Sequence, residues 1–203
     1  PYLVMSFVEG TTAIPAGQER AHIEVMAGTL KKIHGTPVSD LPDLPARNNP
    51  IPEVLEFLPA GAEWTDLRRH LESQTAQTYT GAPKLLHGDF WPENLLWRDG
   101  GVVAVLDWED AALGDPLSDV AAARVELRYR FGKQAMEWFT DAYAREAELD
   151  AERLALWQVY VASAAQRFMG AWGLEPAREA LMRREALASI REAGDELMGR
   201  GGA

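Results

Sequence analysis

The chain has 203 residues and a formal net charge of −11, from 20 basic against 31 acidic side chains, with 47% hydrophobic content. That length can bury a substantial core as one compact domain, whereas the acidic balance argues against nucleic acid, whose phosphates are held by Lys and Arg. Cysteine is absent, the histidines His22, His34, His70 and His87 lack zinc-ligand spacing, and no apolar run approaches membrane-spanning length.

In chain order, Tyr2–Gly10 is an apolar, strand-like run closed by glycine, and its opening carries no basic leader of a signal peptide. These features point to a cytoplasmic protein without a membrane partner. Ile23, Met26, Leu30 and Ile33 recur at helical spacing and predict a core helix from about Gln18 to His34, with Gly35 as its C-cap. Pro37, Pro42, Pro45, Pro50, Pro52 and Pro59 then make residues 36–59 a surface connection, with one short helix near Glu53–Leu58. Thr65 is the expected N-cap of a helix over Asp66–Ser73.

Lys84–Leu86 reads as a short buried strand, followed by a turn that carries His87, Gly88 and Asp89. Two further strand-like runs, Leu95–Trp97 and Val102–Leu106, flank Asp99-Gly100, a strong hairpin signal that folds Asp107 back beside Asn94. Asp115 before Pro116 is an expected helix start. Beyond it the chain reads as helices over about 116–131, 133–148, 151–172 and 176–198, the third capped by Asp150. Leu154, Trp157, Val161, Ala164, Phe168 and Trp172 form the stripe of that third helix; core packing is its expected role and a substrate-pocket wall the alternative.

The residues around the hairpin suit phosphoryl transfer. Mg²⁺ is usually held by one or two protein oxygen donors plus substrate phosphates, which Asn94 and Asp107 can supply. A hydroxyl acceptor also needs a carboxylate that takes its proton without being neutralised by the metal, and Asp89 is placed for this. Glu109 is either a further metal contact or a solvated acid. Turn-capping and strand-closing roles for Asp89, Asn94 and Asp107 are the competing, purely structural reading.

The pattern His87-x-Asp89, Asn94 and then Asp107 at a strand end resembles the catalytic loop and metal-binding Asp of the protein-kinase superfamily. Gly88, the Asp107-Trp108-Glu109 triplet, Gly114-Asp115-Pro116 and Asp119 bring it nearer the aminoglycoside phosphotransferase family, which includes choline and homoserine kinases. The resemblance implies a mostly helical α+β fold, the C-terminal lobe of a kinase-like fold with a small catalytic-loop hairpin. Residues 1–10 would be the hinge strand of an N-terminal lobe and residues 11–203 the helical catalytic and substrate lobe. It also implies Asp89 as base, Asn94 and Asp107 as magnesium ligands, and His87 and Asp119 as braces of the loop. At the hinge, backbone groups of Ser6 and Val8 would meet the adenine of ATP or GTP.

No glycine-rich loop or phosphate-binding Lys is visible in this chain, so the missing N-terminal lobe of the same polypeptide is an expected partner. The short stretch from Asp107 to Asp115, Gly88 in place of Arg and Trp91 in place of Lys all favour a small-molecule acceptor over a protein. Asp110 and Glu126, with Glu109, are candidates for drawing in a cationic acceptor. Two other classes stay open: a catalytically silent kinase-like fragment acting as a binding module, and a magnesium-dependent phosphohydrolase.

Overall fold

The computed structural model describes residues 7–74, 78–145 and 149–199, and the first amphipathic pattern forms helix α1 (Glu19–His34). Ile23, Met26, Ala27 and Leu30 on its inner face have no solvent exposure. Gly35 ends it in right-handed backbone (φ −86°), so this cap does not use the left-handed freedom of glycine. Residues 7–10 form no strand, Val8 is exposed, and Ser6 lies outside the described residues with most of the expected strand. Pairing begins one residue later, where Thr11 exchanges two backbone hydrogen bonds with Trp97 at 3.0 and 2.8 Å.

The proline-rich segment does more than connect. It contains strand β1 (Ala46–Arg47) and helix α2 (Ile51–Phe57), and a single 3₁₀ turn then leads into α3 (Thr65–Ser73). Thr65 is the first residue of α3 rather than its cap, which is Trp64 and makes no side-chain capping bond. Strand β2 (Lys84–Leu86) forms as expected; β3 (Leu95–Arg98) and β4 (Gly101–Val105) make the hairpin, and β5 (Ala112–Gly114) follows it. Asp99 (φ 53°) and Gly100 (φ 76°) both take positive φ, as the two-residue turn that matches strand twist requires.

The strands β1, β5 and β2 form one sheet in that order, β5 lying parallel to β1 and antiparallel to β2. Glycine at 114 permits the approach, because a Cβ there would stand 2.0 Å from the Arg47 carbonyl oxygen. This small sheet places Arg47 and the turn after β2 together, and Arg47 Nη1 donates to the Gly88 carbonyl at 3.3 Å.

Four helices complete the mostly helical α+β fold: α4 (Leu117–Phe131), α5 (Lys133–Ala144), α6 (Ala151–Phe168) and α7 (Pro176–Leu197). One apolar cluster joins α1, α4 and α5 with the hairpin; a second joins α2, α3, α6 and α7. Helix α4 feeds both clusters, Leu127 into the first and Val125 and Tyr129 into the second, so it is buried on several sides. Asp150 caps α6 by accepting the Arg153 N–H at 2.9 Å. The α6 stripe divides: Leu154 and Trp157 are buried in the core, whereas Phe168, and Trp172 just beyond the helix end, are 48% and 45% exposed. Core packing therefore describes only the first half of the stripe.

Candidate active site

Asp119, in the first turn of α4, is fully buried and holds the turn that carries Asp89. Its carboxylate accepts the His87 N–H at 2.7 Å and the Gly88 N–H at 2.9 Å, so its charge is answered by two backbone donors. His34 adds a third contact, Nε2 to Asp119 at 3.2 Å, and Nδ1 of the same ring meets the Tyr143 hydroxyl at 2.7 Å. His87 is equally fixed: Nε2 lies 2.8 Å from the Leu106 carbonyl, which can only accept, and Nδ1 receives the Asp89 N–H at 3.3 Å. Its proton therefore sits on Nε2. Gly88 takes φ 88°, and a Cβ there would lie 2.1 Å from the Asp110 carbonyl oxygen, so the turn tolerates only glycine.

Asn94 closes the short 3₁₀ turn Pro92–Asn94 and donates through Nδ2 to the Asp89 carbonyl at 2.8 Å and to Asp89 Oδ2 at 3.0 Å. Both partners are acceptors, so the amide nitrogen must face them, and Oδ1 is left without a hydrogen bond among the described residues. The Leu106 N–H donates to the Asn94 carbonyl at 2.8 Å, which brings Asp107 alongside. Asp107 has φ 60°, an uncommon conformation for a non-glycine residue, and its exposed carboxylate makes no hydrogen bond among the described residues. Two free oxygen donors thus stand at neighbouring positions, a set that suits a magnesium ion carried in by a nucleotide. Among the described residues no three His, Cys, Asp or Glu side chains converge as a ligand group. Glu109 is exposed, with no hydrogen bond or ion pair among the described residues.

Burial pushes the Asp89 carboxyl up from its ordinary range; the Asn94 bond pulls it down, and the charges of Asp110 and Asp107 add to the rise. A carboxylate displaced this way is a stronger proton acceptor. Glu126, on α4, shares the cleft with Asp89. Burial and the Asp89 charge push it up to about 7, and it makes no hydrogen bond or ion pair among the described residues. The cleft has two parts that share Asp89, Glu126 and Trp172. One, of ≈ 610 Å³, adds Trp91, Glu93, Asp110 and Arg178; the other, of ≈ 320 Å³, runs along α6. Asp89, Asp110 and Glu126 are thus brought together, while Glu109 lines neither part. Sequence reasoning missed Arg47, His34 and Tyr143, which reach the site only through long-range packing; for Phe168 and Trp172 the signal was the stripe itself.

A family model described as "Phosphotransferase enzyme family" matches residues 1–160. The chain belongs to the phosphotransferase enzyme family. Aminoglycoside 3'-phosphotransferase of Streptomyces fradiae is 27% identical over 178 residues, a match covering 78% of this chain and 66% of that protein. Acyl-CoA dehydrogenase family member 10 of Mus musculus is 44% identical over 61 residues, covering 29% of this chain and 5% of that protein. In both cases the chain spans less than two thirds of the relative's length. A solved structure of a thermostable mutant of aminoglycoside phosphotransferase APH(4)-Ia, in ternary complex with AMP-PNP and hygromycin B, aligns at TM-score 0.63 and 18% identity. That alignment covers 92% of this chain and 70% of the other, and it establishes a shared kinase-like fold. No helix among the described residues is long and apolar enough to cross a membrane.

Proposed function

We propose that this member of the phosphotransferase enzyme family is the C-terminal, catalytic and acceptor-binding lobe of a kinase that moves the γ-phosphoryl group of ATP or GTP to a small-molecule hydroxyl. The observation that carries the reading is Asn94, whose amide nitrogen is committed to Asp89 while its oxygen stays free beside Asp107. One side chain therefore orients the base and faces the metal position. Asn94 and Asp107, with Glu109 as a further candidate, would hold Mg²⁺, which when bound neutralises phosphate charge. The AMP-PNP in the APH(4)-Ia complex supports a nucleotide donor.

Asp89 does the remaining work: it orients the acceptor hydroxyl and takes its proton as the oxygen–phosphorus bond forms and the nucleoside diphosphate leaves. His87 and Asp119 keep that carboxylate in place. A cationic group on the acceptor would lie between Asp110 and Glu126, in the part of the cleft that Arg178 also lines. In this reading an upstream lobe supplies the phosphate-binding loop and Lys, and the backbone of Ser6 and Val8 meets the adenine. The test is a screen of the full-length protein for nucleotide-dependent phosphorylation of hydroxylated amines, sugars and amino acids. Transfer to at least one acceptor, lost in Asp89→Asn, is expected; phosphate release without any acceptor would point to a hydrolase instead.

A further inference from the structure

The ≈ 320 Å³ part of the cleft carries fewer charged side chains than its neighbour, Arg47, Asp89 and Glu126 against Asp89, Glu93, Asp110, Glu126 and Arg178. Helix α6 presents Tyr160, Val161, Ala164 and Phe168 to it, Ala122 of α4 faces them, and Trp172 closes the end. Ala122 and Ala164 are the reason the space exists, since larger side chains at either position would fill it. The wall is anchored in the core through ring contacts: Trp157 to Tyr160 at 5.6 Å, Tyr160 to Phe57 at 6.1 Å, and Phe57 to Phe168 at 5.2 Å. Phe168 and Trp172 nevertheless remain 48% and 45% exposed. A concave wall of aromatic and aliphatic side chains on α6 that shares its space with a candidate base is the form of a ligand subsite.

We infer that the acceptor is an amphiphile: its hydroxylated head lies at Asp89 and Glu126, and an apolar chain or ring lies in this subsite against Val161, Ala164, Phe168 and Trp172. The inference rests on the kinase reading for the placement of the head. It departs from a purely polycationic acceptor, which would leave these aromatic surfaces in water. Beside Asp89 and Glu126, the polar side chains lining this part of the cleft are Arg47, which donates to the Gly88 carbonyl of the turn, Ser118 and Tyr160; the remaining lining is aromatic, aliphatic or glycine.

The experiment is a series of n-alkyl glucosaminides, methyl to octyl and below their micelle concentrations, titrated into the full-length protein by calorimetry. Their amine and hydroxyls stay constant while the chain grows. Affinity should rise with chain length, by up to about fourfold for each methylene that becomes fully buried, and then level off once the subsite is full. Ala164→Phe, which fills the space, and Phe168→Ser, at a half-exposed position with little risk to folding, should each flatten the rise. A flat series in the wild-type protein, or an undiminished rise in both variants, overturns the inference. Phosphate transfer to the methyl compound, lost in Asp89→Asn, is read separately. A flat series with such transfer removes the apolar subsite alone, and a rising series without transfer to any member removes the kinase reading alone.

Discussion

Two carboxylates on helix α4 meet opposite environments. Asp119, in the first turn, is fully buried yet accepts two backbone N–H groups and a histidine. Glu126, further along the same helix, is partly buried at the cleft, has no hydrogen-bond partner among the described residues, and is pushed up to about 7. A buried charge whose lone pairs are satisfied serves the fold, and one left unanswered beside a cleft waits for a ligand. The start of α4 is therefore scaffold and its middle lines the cleft, with the Asp89 turn between them.

The sharpest way to break that division is to alter the turn without altering its braces. Asp89→Asn keeps an oxygen for the Asn94 amide, so the full-length enzyme should keep its Tm and its nucleotide affinity while kcat falls roughly 10²- to 10⁴-fold. Asp107→Ala should instead weaken magnesium-dependent nucleotide binding, measured by calorimetry. Retained turnover in Asp89→Asn would remove the assigned base.

Removing the brace should cost stability first. Asp119→Ala leaves the His87 and Gly88 N–H groups buried without an acceptor, at about 1–3 kcal/mol each, so Tm should drop by roughly 5–15 °C. Calorimetry showing an unchanged Tm would contradict the bracing role.

The smallest effect belongs to the unanswered carboxylate. The folded-state value of Glu126, about 7, lies above its ordinary 4.5, so between those values the folded protein holds a proton that the unfolded chain has released. Stability then falls as pH rises through this window and is flat above it. Glu126→Gln removes the effect, so the variant should match wild type near pH 4.5 and exceed it at pH 8, by on the order of 2 kcal/mol. A pH-independent difference in denaturant midpoints would sink the assignment. If Glu126 contacts acceptor, the same variant should also raise KM more than it lowers kcat.

Much of this was legible beforehand because it is local. The periodicity of Ile23, Met26 and Leu30, the Asp99-Gly100 turn and the spacing of His87, Asp89, Asn94 and Asp107 each depend on neighbours in sequence. The expected cap at Thr65 failed because a 3₁₀ turn brings the chain into α3 from Trp64, leaving the threonine already helical. Strands β1 and β5, of two and three residues, carry no readable period, and their pairing joins segments far apart in the chain. The stripe on α6 announced an apolar face, but whether it meets core or cleft depends on where α4 and the 3₁₀ turn Met169–Ala171 after α6 end up.

What the sequence determined by itself was the chemistry on offer: a carboxylate after a tight glycine turn, an amide and a second carboxylate returned by a hairpin, and the family to which they belong. These follow from backbone rules that act over a few residues, such as the positive φ at Gly88 and Asp99. The tertiary structure alone decided which groups are answered. Burial against α1 and α5 ties Asp119 to His34 and His34 in turn to Tyr143, whereas the packing of α6 against α4 leaves Glu126, Phe168 and Trp172 facing one open cleft. Desolvation and long-range contact make that difference, and neither is written in the spacing of residues along the chain.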